Sequence, residues 1–350
     1  MNVFIPHKKD FNIYLDEIMN CSSFNFTFGV VEDYNSNYDI VNIQFPEAIF
    51  KWIKPSELEL DNLEKCMIDW KKHSKIVLTF NDHISHYDKD NEFEDLFKLI
   101  HCYCDGVIHL GNYSLNKFKS LFSKECLHEV IYHPLYVSLT GNYKTENIQS
   151  KFDVVLKDKY IVSVIGNVRS IEEMKFILKT FKKIPIKNKF LLVPKMFNFL
   201  TLPKHLPYRF RKIYRIIIEK WYCFPLKKNQ YIFGYTFINY NMVVDLLNKT
   251  SLMIIPRLRS LNSGILFLGL TFNKPMLITK IGNLTEVAEQ FNFPLLDLEK
   301  NNFKAVISEL TNKKFSKKFE NADFIGKKKQ FQPEQIASEY EIFFKNLTNI

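Results

Sequence analysis

The 350-residue chain is 46% hydrophobic, too long for one typical domain and rich enough in apolar side chains for two cores. No apolar run approaches the roughly 18 residues of a membrane span, MNVFIPHKKD lacks the apolar core of a signal peptide, and six cysteines without a Cys-x-x-Cys pair argue against a zinc or disulfide framework and suit a reducing cytoplasm. The net charge of +10 is unevenly divided: residues 1–150 hold 14 Lys/Arg against 22 Asp/Glu, a net of −8, and residues 151–350 hold 34 against 16, a net of +18; this is either compositional bias in a chain rich in Asn, Ile and Phe, or a second half that binds an anion or faces anionic lipid.

Asn2–Pro6 reads as the first strand and Asn12–Met19 as a short amphipathic helix. Asp39–Phe45 is a strand that ends in Pro46-Glu47. Leu58–His73 is helical, with Leu60, Leu63, Cys66, Met67 and Trp70 on roughly one face. Lys75–Phe80 is a strand running into Asn81-Asp82-His83-Ile84-Ser85-His86-Tyr87-Asp88. Titratable groups at the C-terminal end of a strand stand where an open α/β sheet keeps its chemistry. Asp82 and His86 are therefore the candidate catalytic residues, able to take a proton or position a reacting group; the plainer reading is a solvated loop. Helix Glu92–His101, strand Asp105–Leu110, helix Leu115–Phe122 and the segment Glu129–Tyr136 complete a first domain, with His133 packed beside Pro134. Polar Ser138–Asp158 fits a linker.

Tyr160–Ile165 is a strand, followed by Gly166-Asn167-Val168-Arg169 and a helix over Ile171–Lys183. Lys189–Val193 is the next strand. The run Lys204–Tyr222 interleaves Arg209, Arg211, Lys212, Arg215 and Lys220 with aromatic and aliphatic residues. It is either a basic amphipathic helix on a membrane surface or a surface helix with solvated charges and an apolar side in the core. Strand Tyr231–Phe233 leads to Gly234-Tyr235, and Tyr240–Asn248 is helical.

Ser251–Ile255 and Pro275–Thr279 are short strands rich in Ile, Leu and Met, as buried parallel strands are. Between them Asn262-Ser263-Gly264 opens the apolar helical run Ile265–Phe272. Asn or Ser can cap that helix, and Gly264 allows close approach of backbone or ligand. A strand, a small-residue turn and a helix N-terminus make an anion site. Gly282–Glu286 is a second such turn, and two at one edge of a parallel sheet form a crevice for a phosphorylated ligand. Phe293–Leu298, a helix near Lys304–Leu310, a Lys-rich loop over Lys313–Lys329 and a final helix Pro333–Leu347 follow. No helix-turn-helix, zinc-finger or RNA-recognition pattern occurs, so nucleic acid is not an expected partner.

The second half resembles the donor-binding half of GT-B glycosyltransferases of the bacterial polysaccharide-assembly type, similar to glycosyltransferase family 4 or group 1. Pro256, Asn262-Ser263-Gly264, Lys274-Pro275, Gly282 and Glu286-Val287 stand in that family's order. So do Gly166 and Arg169, Asp39-Ile40-Val41, Pro46-Glu47, Thr79 with His86, and His133-Pro134-Leu135-Tyr136. The chain departs from the pattern at Leu261 and Gly269, where many members carry two glutamates, at Glu172 for a lysine, and at Asn81 for a histidine.

The resemblance implies an α/β GT-B fold of two Rossmann-like doubly wound domains facing a cleft. Residues 1–140 would form the acceptor side, 155–330 would bind the nucleotide sugar, and a helix over 333–350 would return to the first domain. It further implies transfer of a sugar from a nucleotide diphosphate sugar to a hydroxyl of a glycan or lipid-linked glycan in cell-surface polysaccharide synthesis. Neither a metal nor another cofactor is implied. Gly166, Asn167, Arg169, Asn262, Ser263, Gly264 and Glu286 would hold the donor, and Asp82 and His86 would serve the acceptor, away from the anion-binding half. The expected location is the cytoplasm, at an anionic inner membrane face. A sugar-nucleotide epimerase or hydrolase with the same donor half, or a non-catalytic partner subunit, are the alternatives.

Overall fold

The computed structural model describes residues 1–9, 13–83, 92–141, 146–197, 199, 207–224, 226–234, 238–300 and 302–349. In the first half β1 (Asn2–Ile5), α1 (Ile13–Met19), β2 (Asn25–Phe28), β3 (Ile40–Ile43), α2 (Pro46–Ile49), α3 (Glu57–Trp70), β4 (Lys75–Phe80), α4 (Glu94–Tyr103), β5 (Gly106–His109), α5 (Asn112–Phe118) and β6 (Leu127–Val130) follow in turn. The second half runs α6 (Ile148–Phe152), β7 (Tyr160–Ser163), α7 (Ile171–Lys183), β8 (Lys189–Val193), α8 (Tyr208–Cys223), β9 (Tyr231–Phe233), α9 (Tyr240–Lys249), β10 (Leu252–Ile254), α10 (Gly264–Thr271), β11 (Met276–Thr279), α11 (Gly282–Gln290) and β12 (Leu295–Leu296). Helices α12 (Phe303–Leu310), α13 (Lys313–Ser316), α14 (Ala322–Lys328) and α15 (Pro333–Thr348) close the chain.

The strands form two six-stranded parallel sheets, ordered β2-β1-β3-β4-β5-β6 and β12-β11-β10-β7-β8-β9. Central strands such as β3, β5 and β11 are buried at every residue, which explains their mostly apolar, non-alternating sequences: helices cover both faces. Strand order reverses between β7 and β10 in the second sheet. Loops on either side of such a switch point diverge and leave a crevice at the carboxyl ends of the strands. Here those loops are residues 164–170 and 255–263.

Local signals account for most helices. Ser56 and Glu59 cap α3 reciprocally, and Leu63, Met67 and Trp70 form its buried side. Helix α10, apolar all round, is buried from Leu266 to Thr271. Helix α15 returns to the first domain: Ile336, Tyr340, Phe343 and Phe344 cluster with Val3, Ile5, Leu15 and Ile18. Gly106 at the start of β5 makes room for it, since a Cβ there would meet Leu347 Cδ1 at 2.7 Å and Phe343 Cζ at 2.9 Å.

Two expectations from sequence are corrected. The Lys-rich stretch is not a loop: α13 and α14 bury Phe315 and Phe324, beside Phe319 and Phe331. The linker holds α6, with Ile148 N donating to Asp245 Oδ2 at 2.9 Å. The last strand of the first sheet is Leu127–Val130, ahead of the His133-Pro134 segment. Asn12, Lys204 and Tyr235 lie outside the described residues.

Candidate functional site

The crevice at the β7/β10 switch point is built around a buried arginine. Arg257, 3% exposed just past β10, places Nη1 3.0 Å from both oxygens of Glu173 and donates from Nη2 to Asn167 O at 3.1 Å. Glu173, on the first turn of α7, also accepts from Arg169 N at 2.8 Å, while its own N–H donates to the N-cap Ser170 Oγ at 3.2 Å. One ion pair therefore fixes both ends of the loop Gly166–Arg169. Gly166 has φ +89°, and a Cβ there would lie 2.8 Å from Ile265 Cδ1. The loop thus needs a glycine twice over, for its left-handed backbone and to seat against the first turn of α10.

The Arg169 side chain is half-buried and reaches Ser260 Oγ at 3.4 Å. Ser260 Oγ donates to Asn262 O at 2.8 Å and lies 3.3 Å from Asp82 Oδ2. Asp82 comes from the loop after β4 of the other domain, so Arg169, Ser260 and Asp82 link the two walls of the cleft. The other Asp82 oxygen lies 3.2 Å from His83 Nδ1, and the His83 ring stacks on Phe118 at 4.8 Å. The Asp82 loop is thus not remote from the anion-binding half; it meets it. On the first-domain side, Asp82, Asn81, Gln44 and Glu47 line a shallow depression. His86 lies outside the described residues.

The remaining predicted donor residues face protein groups. Asn262 Nδ2 donates to Asn81 O at 2.6 Å, and its Oδ1 accepts from Asn283 Nδ2 at 2.7 Å. Asn283 in turn accepts from Ser114 N at 3.0 Å. Ser263 is the buried N-cap residue of α10, but its side chain makes no capping bond. A Cβ on Gly264 would stand 2.5 Å from Tyr136 Oη and 3.1 Å from His133 Nε2, so the space beside it holds this chain's own side chains. Glu286 accepts from Asn112 N at 3.0 Å and Tyr113 N at 3.1 Å. Its carboxylate caps the first turn of α5 of the first domain.

His133 is buried, as its packing beside Pro134 suggested; burial pushes its pKa down to about 4. With Nδ1 donating to Pro134 O at 2.6 Å, the neutral ring accepts from Tyr136 Oη through Nε2. Among the described residues no group of three or more His, Cys, Asp or Glu is arranged to hold a metal; Asp88 and Asp90, an Asp-x-Asp pair, lie outside them. Nor is any helix among them long and apolar enough to cross a membrane.

No family model matches the chain, and no curated protein sequence matches it. Solved structures do. Sucrose-phosphate synthase from Thermosynechococcus elongatus superposes with a TM-score of 0.69 at 12% identity over 99% of each chain. HepE from Anabaena in complex with UDP-glucose gives the same values. A UDP-forming α,α-trehalose-phosphate synthase from Burkholderia vietnamiensis gives 0.63 at 6% identity, over 99% of each chain. The fold is GT-B. At such low identity the likeness concerns architecture: two parallel six-stranded sheets, their helices, and a last helix that crosses back.

The GT-B frame makes the two absent glutamates interpretable. Leu261 is 2% exposed and belongs to the core of the first domain, and a Cβ on Gly269 would run into the Met276 side chain. Both positions are committed to packing: Leu261 is enclosed by apolar neighbours, where an unpaired carboxylate is costly, and Gly269 has no room for a side chain. Sequence reading missed Arg257, Ser260 and Asn283. Arg257 had one visible signal, a charge directly after the apolar run Leu252–Pro256, since a buried charge needs a partner.

Proposed function

We propose that the protein is a glycosyltransferase of the family 4 type, moving a sugar from a nucleotide diphosphate sugar to a hydroxyl of a glycan or lipid-linked glycan in cell-surface polysaccharide synthesis. The observation that carries this is the Arg169–Ser260–Asp82 chain across the cleft, which sets a cation of one domain and a carboxylate of the other beside a single hydroxyl. As the bond from the sugar C1 to the phosphate oxygen breaks, the diphosphate gains charge. Arg169, the loop from Gly166 through Asn167, and the N-terminus of α7 stabilise it. The acceptor oxygen bonds to C1 and gives its proton to a base, the role proposed for Asp82 with His86. Ser263 and the start of α10 complete the donor side, and no metal enters the proposal. A lipid-linked acceptor would hold the enzyme at the inner face of the cell membrane.

The uridine nucleotides named with the solved neighbours make UDP and UDP-sugars the first ligands to titrate. Calorimetry with a nucleotide panel, followed by nucleoside diphosphate release with and without a glycan acceptor, tests the reading. Acceptor-dependent release supports transfer; steady release without acceptor would assign a hydrolase, and consumption of the donor sugar without such release an epimerase. A non-catalytic GT-B subunit is the second reading. It is favoured by the hydrogen bonds of Asn262 and Glu286 to the first domain, and absence of any nucleotide binding would select it.

A further inference from the structure

Helix α8 turns an apolar stripe away from the protein. Phe210, Ile213, Tyr214, Ile217 and Trp221 stand at i, i+3, i+4, i+7 and i+11, one face of a helix, and all are exposed, Trp221 by 77%. Phe224, at the end of the helix, continues that face and is 89% exposed. On the flank adjoining Tyr214, Ile218 and Tyr222 pack against the second-domain core. A surface helix of a globular protein ordinarily directs its apolar stripe inward, so this one is built the other way round. Exposed Arg209, Lys212 and Lys220 follow one flank of the stripe. Residues 207–230 contain seven Lys/Arg and a single acidic residue, Glu219.

We propose that this face of α8 lies on an anionic lipid surface, with the stripe at the headgroup–acyl boundary and Arg209, Lys212 and Lys220 against lipid phosphates. The charge pattern selects this occupant. A second copy of the chain would bring two basic flanks together, and like charges across an interface oppose association. Tyr214 and Trp221 have apolar rings with a polar edge, which suits the headgroup level. At 16 residues the helix is about 24 Å long, shorter than the roughly 30 Å hydrocarbon core, so it lies in the plane of the surface and does not cross it. The inference deepens the lipid-linked reading above, since it names the surface that would hold the enzyme where such an acceptor is presented.

The test is flotation of the full chain with phosphatidylcholine vesicles, with and without phosphatidylglycerol. Binding should require the anionic lipid, weaken with salt, and shift the emission of Trp221 to the blue. Ile217→Ser with Trp221→Ser, and separately Arg209→Gln with Lys212→Gln and Lys220→Gln, should each lower partitioning by about tenfold or more. These side chains are exposed, so thermal stability and nucleotide affinity should hold. Absence of vesicle binding, or binding unchanged in both variants, would overturn the proposal. A concentration-dependent dimer abolished by the Ser variant would give the face to a second copy. Loss of nucleotide binding with vesicle binding intact would sink only the sugar-transfer reading.

Discussion

Glu173 holds Arg257 and the backbone N–H of Arg169 at once, although the two arginines come from loops on opposite sides of the switch point. The pair is buried on both sides, 3% and 7% exposed, and Arg257 Nε has no partner among the described residues. Removing one member of such a pair strands the other charge in the interior.

Glu173→Gln should therefore lower unfolding free energy by about 3–5 kcal/mol and weaken nucleoside diphosphate binding by freeing the Arg169 loop. Arg257→Met combined with Glu173→Leu should recover much of the stability and little of the affinity. Denaturant unfolding and calorimetry on the three variants separate the two effects. A fully stable Glu173→Gln protein would contradict a buried ion pair.

Arg169→Ala removes the half-buried cation and leaves the backbone that Glu173 holds. Charge-assisted bonds to phosphate contribute about 1.5–3 kcal/mol, so nucleoside diphosphate affinity should fall by roughly tenfold or more, with the fold intact. Unchanged affinity would take Arg169 out of the donor site.

The central strands were legible in the sequence because a strand buried on both faces is written mostly in apolar residues without alternation: Ile40–Ile43, broken only by Asn42, and Met276–Thr279, ending in Thr279, are examples. Strand β2 was not. As an edge strand it alternates exposed and half-buried residues, and its sequence, Asn-Phe-Thr-Phe, offers only two apolar side chains. Helices α13 and α14 were hidden by their lysines, whose charges mask the spacing of Phe315 and Phe324. The donor loop itself was visible through Gly166 and Arg169. Its support was not, because Arg257 meets Glu173 across 84 positions and Asn262 meets Asn81 across 181. No local pattern encodes such pairs. Glu286 stood at a family position, but which group its carboxylate would face depended on how the two domains meet.

Asp82→Asn should lower turnover far more than donor affinity, because in the proposed mechanism the base acts on the acceptor hydroxyl and Arg169 holds the diphosphate. His86→Ala should behave likewise. Steady-state kinetics with calorimetry decides this. If either substitution abolished donor binding in a folded protein, the loop would belong to the donor.

Burial pushes the His101 pKa down to about 4; burial, helped by nearby His128 and Lys119, pushes that of His109 to about 3. Both rings are neutral in the folded chain, whereas in the unfolded chain they titrate near 6.5. Below that pH the unfolded state binds more protons, so stability is present at neutral pH and is lost as pH falls from 6.5 toward 4 and 3. At pH 5 each ring should contribute a loss on the order of 2 kcal/mol. Thermal midpoints measured from pH 7 to pH 5 should drop steeply in the native chain and less so in His101→Phe. An unchanged slope in that variant would show that the ring takes up no proton on unfolding.

Glu286 provides the sharpest contrast between the family position and the observed contacts. If its carboxylate serves as a cap on α5, Glu286→Ala leaves the N–H groups of Asn112 and Tyr113 without their acceptor. The expected loss is about 1 kcal/mol of stability, with faster amide exchange over residues 112–118, where the two domains touch. Nucleoside diphosphate affinity should stay close to that of the unaltered chain, because the diphosphate is assigned to Arg169 and the Gly166 loop. The opposite pattern, a large loss of affinity with amide exchange unchanged, would return Glu286 to the donor and would mean that the domains open at α5 when the nucleotide binds.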